Sequence, residues 1–391
     1  MPKTKTIQIV GDSSYGGASY LILEWCRFLV SQGWEVDVLA TDEAFRAKLM
    51  SVQGVRVLEH IYIPREIAPV QDLRAFAQLI QLLREEAYDV VHTYTATPSF
   101  LGRIAARLLR VPVILHHQAA WTVTEFSSLA ERAFYTPLEY IATLASTKGI
   151  CVSHAVAQQA RELHIAPQRK LTTICNGIDA RPFVTSVSPT SDARERLRRE
   201  FNVTADHILI GCTGRLAPMK DNSSVILALK ELAVSLPYVP LKLVLAGSGP
   251  DKTALENLAH AMSLSDRVLF LGFRDDIPDI LAAIDIYVSA SLREGMSISI
   301  LEAMAAGKPI VSTSIPPNAE LIEDERTGLL VPPKSPRQLA NAIARFIQEP
   351  ELSMECGKAA QERLLSRYTL TRMFKETFEL YNGARNDRRT V

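Results

Sequence analysis

Two glutamates separated by seven residues, Glu294 and Glu302, are the side chains best placed to do chemistry in this sequence. Glu294 lies on a predicted loop, whereas Glu302 lies in the second turn of the helix predicted over Ile298–Ala306. A carboxylate among the apolar residues of a helix needs a partner, because its unpaired burial is costly. A sugar diol is one such partner, and a structural salt bridge is the other. The backbone amides at Met296 and Ser297 form an additional anion site.

Two cations, Arg215 and Lys220, share one predicted loop between the strand Ile208–Cys212 and a helix. Arginine can hold phosphate oxygens with two hydrogen bonds and lysine adds a point charge, so the pair fits a diphosphate. A solvated pair of surface charges is the alternative. Gly16 and Gly17 follow the first predicted strand and let a phosphate approach the backbone, although a plain tight turn fits equally well.

Further polar or aromatic residues follow other predicted strands. These residues are His92, His116, His117, Asn176, Gly247 and Phe273. The histidines are expected on the ligand side of a sheet, with a satisfied core histidine as the alternative. Asn176 begins a turn-like segment, and the backbone near Gly247 and Phe273 could contact a nucleotide base.

The elements that must position these residues form an alternating pattern of short apolar strands and amphipathic helices. This alternation predicts parallel βαβ units, in which ligands bind beyond the carboxyl ends of the strands. We predict an α/β protein with two doubly wound Rossmann-like domains that face each other across a cleft. The predicted parts are a first domain at 1–180, a linker at 181–205, a second domain at 206–367 and a terminal helix at 368–391 that crosses back to the first domain.

Composition sets limits on the class of protein. The 391 residues include 43 Lys plus Arg and 43 Asp plus Glu, a balance that counts against a general nucleic-acid-binding protein. The 47% of hydrophobic residues fits a folded chain. The chain contains no unbroken apolar run of the roughly 18 residues that a membrane span needs. The apolar run Ile7–Val10 is too short for a signal peptide, so we expect a cytoplasmic protein, which could work at the inner face of the membrane.

Taken together, the motifs resemble glycosyltransferase family 4, whose members have the two-domain GT-B architecture. The most specific element is the Glu294–Glu302 pair, continued by the segment EAMAAGKP that ends at Pro309. The other matching segments are DVVH at 89–92, CNGID at 175–179, GRL at 214–216 with Lys220, AGSGP at 246–250 and TGLLVP at 327–332. The family's typical proline is replaced by Cys175, and its common aromatic or glycine by Met296.

The resemblance implies transfer of a sugar from a nucleotide-diphosphate sugar with retention at the anomeric carbon. It implies no cofactor and no divalent metal, because Arg215, Lys220 and helix N-termini would stabilise the departing diphosphate. Glu302 would hold the ribose, and Glu294 would contact hydroxyls of the sugar. The implied donor-binding set also includes Gly16, Gly17, Gly247, Phe273, Gly295, Met296 and Ser297.

On the acceptor side, the resemblance implies that a histidine after the strand Val113–Leu115 contacts the sugar or assists the acceptor, and His117 is preferred. His92, His116 and Asn176 are further acceptor-side candidates. The acceptor would be a glycan, a lipid-linked sugar or a small molecule, in the synthesis of a cell-surface polysaccharide or glycolipid.

A lipid-linked acceptor would bring the first domain to a membrane. Three arginines at roughly helical spacing could support this docking, or could form only a solvated face: Arg103, Arg107 and Arg110. The alternatives are another enzyme of similar fold, such as a phosphorylase, an epimerase or a dehydrogenase, and a non-catalytic nucleotide-sugar-binding regulator of a polysaccharide pathway. The absence of the dinucleotide fingerprint G-x-G-x-x-G argues against the dehydrogenase.

Overall fold

The computed structural model describes residues 3–11, 16–64, 67–124, 127–188 and 190–389, and side chains as far as residue 383. The chain divides into two compact units. The first contains Met1–Cys175 with Met373–Val391, and the second contains Asn176–Arg372.

The first unit is built on a seven-stranded parallel sheet. Its strands are β1 (Lys5–Gly11), β2 (Glu35–Ala40), β3 (Val55–Leu58), β4 (Val90–Thr93), β5 (Val113–Gln118), β6 (Lys148–Cys151) and β7 (Leu171–Thr173). They lie in the order β3-β2-β1-β4-β5-β6-β7. The central strands are buried on both faces, as a parallel sheet covered by helices requires, and Ile7, Ile9 and Ile114 are all 0% exposed.

Helices connect these strands. They are α1 (Gly17–Ser31), α2 (Glu43–Met50), α3 (Pro69–Glu86), α4 (Ala96–Leu108), α5 (Leu129–Ala145) and α6 (His154–Glu162). Helix α4 packs against both α3 and α5, so these three helices form one layer of the unit.

The second unit repeats the pattern with a six-stranded parallel sheet in the order β10-β9-β8-β11-β12-β13. The strands are β8 (Ile208–Thr213), β9 (Leu241–Ala246), β10 (Val268–Gly272), β11 (Ile286–Ser289), β12 (Ile310–Thr313) and β13 (Leu329–Val331). The helices are α7 (Arg181–Ser186), α8 (Ala193–Glu200), α9 (Asn222–Ser235), α10 (Lys252–Ala261), α11 (Ile277–Ala283), α12 (Ile298–Ala305), α13 (Pro316–Leu321), α14 (Pro336–Gln348) and α15 (Pro350–Arg367), followed by α16 (Leu370–Arg389). Two doubly wound α/β domains are therefore confirmed.

For the segment 181–205, the sequence predicts a linker with a short helix in its second part. In the structure, α7 and α8 lie in this segment, within the second unit. Arg194 and Arg198 of α8 both pair with Asp285, at 2.6 Å and 3.0 Å. Arg198 is only 6% exposed, which is a burial that a free linker would not give its charges. The many charged residues of this segment hold it against the second unit.

From Met373 onward, helix α16 belongs to the first unit. Its aromatic side chains pack against those of α1 and the following turn, in a cluster of Trp25, Phe28, Trp34, Phe374, Phe378 and Tyr381. Trp25 Nε1 also donates a hydrogen bond to Tyr381 Oη at 3.2 Å. The terminal helix thus supplies part of the core of the first unit.

No helix in the part of the chain that the structure describes has the length and apolar character needed to cross a bilayer.

Candidate functional site

Two loops at the carboxyl ends of β8 and β11 are joined through their backbones. Leu292 N donates to Met219 O at 2.8 Å, so the loop that carries Glu294 is fixed against the loop that carries Lys220. A second support comes from Thr313, whose hydroxyl donates to Ser291 O at 2.5 Å. The site is therefore held by rigid neighbouring strands, as a preorganised site requires.

Lys220 and Glu294 form an ion pair, with Lys220 Nζ 2.6 Å from Glu294 Oε1. Their side chains are 22% and 13% exposed, so the pair is largely shielded from solvent. Glu294 Oε1 also accepts a hydrogen bond from Ser291 Oγ at 2.8 Å. In this structure Lys220 and Glu294 therefore neutralise each other.

Glu302 lies in α12, where its side chain is half-buried. Burial raises the pKa of Glu302 to about 7, and the charge of Lys220 partly opposes that shift. The carboxyl group of Glu302 thus interacts electrostatically with Lys220. Its protonation state changes near neutral pH. Both glutamates of the seven-residue pair are electrostatically linked to the same lysine.

A recess beside Lys220 is lined by hydroxyl groups as well as by cations. Tyr287, which is 1% exposed, places its Oη 3.3 Å from Thr213 Oγ1. The other polar side chains of the lining include Arg215, Asn222 and Ser299. Arg215 and Lys220 are thus brought to one recess, which combines positive charge with hydroxyl donors and acceptors.

Other residues predicted to bind the donor lie in the same unit. Ser297 begins α12, and its Oγ accepts from Ile300 N at 3.4 Å. Met296 is 5% exposed, so it packs inward beside Gly295. Phe273, just beyond β10, is 54% exposed.

Gly247 has a structural task. Its φ is +156°, and an added Cβ would overlap the carbonyl oxygen of Gly214. Leu216 N donates to Ser248 O at 2.9 Å across the same contact. The glycine therefore permits the loop after β9 to press against the loop that carries Arg215.

In the first unit, β5 extends to Gln118, so His116 and His117 are strand residues and do not follow the strand as predicted. The extension arises because the ladder to β6 runs to the pair Gln118–Cys151. Successive strand residues face opposite sides of a sheet. His116 is 4% exposed and its Nδ1 lies 2.8 Å from Ser99 Oγ, whereas His117 is half-buried. Burial and the charge of Arg103 lower the pKa of His116 well below its usual value.

His92 is a core residue in this structure, with 1% of its surface exposed. Its Nδ1 lies 2.8 Å from Tyr381 Oη, and its Nε2 is buried without a hydrogen-bond partner among the described residues. Burial lowers the pKa of His92 well below its usual value. An acceptor cannot touch this side chain unless the core of the first unit opens.

Gly17 is the first residue of α1, and Gly16 is its N-cap residue. Residues 12–15 of the predicted glycine loop lie outside the described residues. Asn176 is 6% exposed and belongs to the second unit. At the neighbouring Gly177, an added Cβ would overlap the backbone of Thr369. The glycine therefore permits close packing against the chain segment that precedes α16.

The prediction of an exposed patch of three arginines is wrong for Arg103. Arg103 is 2% exposed and pairs with Glu139 at 3.7 Å. Helix α4 turns this position toward α5, which leaves Arg107 and Arg110 as the exposed cations.

Sequence reasoning missed the contributions of Tyr287, Thr213 and Tyr381. Thr213 directly follows the predicted strand Ile208–Cys212, so the rule that ligands bind beyond the carboxyl ends includes it. Tyr287 is the second residue of β11, a position to which that rule does not point. Tyr381 was within a predicted helix, but its partner His92 is 289 residues away in sequence, and no local pattern indicates such a contact.

Comparison with known proteins agrees with the two-domain fold. The family model described as Glycosyltransferase Family 4 matches residues 15–181, and that described as Glycosyl transferases group 1 matches residues 193–363. The UDP-Gal:alpha-D-GlcNAc-diphosphoundecaprenol alpha-1,3-galactosyltransferase of Escherichia coli is 30% identical over 81% of this chain and 81% of its own length. The D-inositol 3-phosphate glycosyltransferase of Corynebacterium glutamicum is 25% identical, with 97% and 95% covered.

Among solved structures, Anabaena HepE in complex with UDP-glucose superimposes with a TM-score of 0.82 at 23% identity. The match covers 97% of this chain and 99% of HepE. The fold, the motifs and the relatives thus lead to one assignment. The chain belongs to glycosyltransferase family 4 and is a glycosyltransferase with the two-domain GT-B fold.

Proposed function

We propose that the second unit binds a nucleotide-diphosphate sugar in the recess beside Lys220, and that the chain transfers this sugar to an acceptor with retention. The observation that carries the proposal is the position of Lys220, which pairs with Glu294 and opposes the raised pKa of Glu302. Arg215 lines the same recess and adds a second cation. Two cations beside two carboxylates suit a ligand that is anionic at its phosphates and rich in hydroxyls at its sugars.

Glycosyl transfer passes through a transition state resembling an oxocarbenium ion, while negative charge grows on the leaving diphosphate. Arg215 and Lys220 would stabilise that charge and so lower the barrier without a divalent metal. Lys220 must turn from Glu294 toward the diphosphate, which leaves the Glu294 carboxylate to accept hydrogen bonds from hydroxyls of the sugar. Ionised Glu302 would accept them from the ribose diol.

Both glutamates are assigned to binding in this scheme, so neither serves as a nucleophile. We therefore propose front-face transfer, in which the acceptor attacks on the side that the diphosphate leaves. His117, half-buried at the end of β5, would assist the acceptor from the first unit. A trapped glycosyl adduct on an aspartate or glutamate would overturn the front-face route.

The names of relatives support a narrower choice of substrates. The Escherichia coli relative is named for UDP-galactose and a diphosphoundecaprenol-linked acceptor, and HepE was solved with UDP-glucose. We propose a uridine-diphosphate sugar as donor and a lipid-linked sugar as acceptor, in cell-surface polysaccharide or glycolipid synthesis at the cytoplasmic side of the membrane. No observation favours the non-catalytic regulator over this enzyme.

The experiment is a thermal-shift screen of nucleotides and nucleotide sugars in the presence of EDTA. Uridine diphosphate should raise the unfolding temperature of the wild-type protein, and Arg215→Ala or Lys220→Ala should remove most of that rise. Arg326→Ala, at a surface ion pair with Glu323 in the same unit, is the matched control and should respond as the wild type does. A panel without any response, or an equal response in all variants, would contradict the proposed donor site. Nucleotide binding without sugar transfer to any acceptor would favour the regulator.

A further inference from the structure

Helix α5 turns an apolar face outward. Its exposed large side chains include Leu129 at 86%, Phe134 at 55% and Ile141 at 51%. The exposed apolar positions of the helix are Leu129, Ala130, Ala133, Phe134, Pro137, Tyr140, Ile141 and Leu144. Their spacing of three and four residues places them along one side, over a length of about 22 Å at 1.5 Å per residue. A helix that only covered the sheet would have polar residues at these positions.

The charges near this face leave it without an acidic barrier. Arg103 and Glu139, which pair with each other, and Arg132 are not exposed. The exposed charges of α4, α5 and the turn after α4 are those of Arg107, Arg110 and Glu131. The Glu131 carboxylate accepts a hydrogen bond from Ser128 N at 2.7 Å as part of a capping box, so it belongs to the start of α5. The exposed cations of α4 and of the turn after it are thus Arg107 and Arg110, and α4 packs against α5. Their charge suits an anionic surface.

Further exposed apolar side chains lie on the neighbouring helices. Leu108, at the end of α4, is 63% exposed. Val70 and Leu73 of α3 are 64% and 70% exposed, and α3 packs on the opposite side of α4. The row of eight exposed apolar residues on α5 exceeds what single surface side chains account for.

We propose that this face, formed by α5 with Leu108, docks on the surface of an anionic lipid bilayer. A bilayer covers a row of apolar side chains without the matching shape that a protein partner would need. Phe134 and Tyr140 are also aromatic, and aromatic side chains favour the bilayer interface. Arg107 and Arg110 would lie at the level of the anionic headgroups. The docking surface lies in the first unit and does not depend on the proposed donor site, although it would bring the chain to a lipid-linked acceptor.

The test is co-sedimentation of the full chain with vesicles of phosphatidylcholine alone or mixed with phosphatidylglycerol, in the absence of nucleotide. Phe134→Ser combined with Ile141→Ser removes two apolar contacts from the face. Val234→Ser combined with Tyr238→Ser is the matched control, because these residues are 70% and 96% exposed in the second unit. Arg107→Glu combined with Arg110→Glu tests the charge contribution.

The wild type and the control should bind the mixed vesicles, and the Phe134/Ile141 variant should partition at least about tenfold less. The arginine variant should lose the preference for phosphatidylglycerol. Absence of wild-type binding, or equal binding of the Phe134/Ile141 variant and the wild type, would overturn the proposal. A wild-type dimer in sedimentation velocity that this variant converts to a monomer would also overturn it, because the face would then join two copies of the chain.

An unchanged unfolding temperature of each variant shows that the substitutions leave the fold intact. Thermal shift with uridine diphosphate separates this proposal from the proposed function. A protein that binds vesicles and ignores the nucleotide would leave the docking surface standing and refute the donor site.

Discussion

The ion pair between Lys220 and Glu294 predicts an unusual consequence of removing a charge from the site. A diphosphate that binds Lys220 must first displace the Glu294 carboxylate, which lies 2.6 Å from Lys220 Nζ. Glu294→Gln removes this competitor and also removes a negative charge that repels the ligand. We therefore expect uridine diphosphate to bind more tightly to the variant than to the wild type.

The size of the effect follows from the shielding of the pair. A charge-assisted hydrogen bond contributes about 1.5–3 kcal/mol, and exposed ion pairs contribute at most about 1 kcal/mol. With side chains that are 22% and 13% exposed, this pair lies between the two cases. A gain of about 1.4 kcal/mol corresponds to about tenfold tighter binding. The gain should shrink as salt is added, because ions screen both interactions.

Isothermal titration calorimetry with uridine diphosphate, without metal and at low ionic strength, measures this change. Glu349→Gln is the matched control, since Glu349 also pairs with a cation, Arg345, at 3.3 Å on the same unit. Turnover of the sugar donor by Glu294→Gln should fall at the same time, because the variant loses a carboxylate contact to the sugar. Unchanged or weaker binding of uridine diphosphate by Glu294→Gln would refute the proposed competition.

Three further predictions concern stability. Tyr381→Phe removes the hydroxyl that contacts both His92 Nδ1 and Trp25 Nε1. It should lower the free energy of unfolding by about 1–3 kcal/mol, measured by urea titration. An unchanged urea midpoint of unfolding would show that the hydroxyl contributes nothing to stability. Gly247→Ala should destabilise the protein and weaken uridine diphosphate binding, because its Cβ overlaps Gly214 O; wild-type values for both would contradict that reasoning. Because the pKa of Glu302 is raised to about 7, the native state retains a proton that the unfolded chain loses, and stability is lost as the pH rises through 7. Glu302→Gln should therefore raise the unfolding temperature near pH 8 relative to the wild type and much less near pH 5, and an equal change at both values would be inconsistent with the raised pKa.

Much of the fold could be predicted because buried parallel strands are continuous apolar runs. Helix α12 lies within one residue of its predicted ends at Ile298 and Ala306, since apolar periodicity, Ser297 and Gly307 define it. Strand β3 was missed because the exposed Arg56 interrupts its apolar run. The sequence predicted a linker at 181–205 with a short helix in its second part, where α8 lies. The pairing of Arg194 and Arg198 with Asp285 could not be predicted, because these residues are far apart in sequence.

The candidate site was predictable in its parts but not in its pairing. The positions of Lys220, Glu294 and Glu302 after or beside predicted strands placed them at one sheet edge. The bond between Lys220 and Glu294 joins residues 74 positions apart and depends on the backbone contact between Leu292 and Met219. The burial of Arg103 and His92 depends on helices packed from elsewhere in the chain, which spacing within one element does not show.

The central proposal is that a sugar is transferred from a nucleotide sugar bound in the second unit. The transfer needs no metal and retains the configuration of the anomeric carbon. Its most direct test is to follow the wild-type protein with UDP-sugars and EDTA by proton NMR, at times short enough to precede mutarotation of released sugar. We predict that the first product, whether released sugar or glycosylated acceptor, has the anomeric configuration of the donor, and that Lys220→Ala abolishes its formation. A product of inverted configuration, or turnover that stops when EDTA is added, would contradict the account.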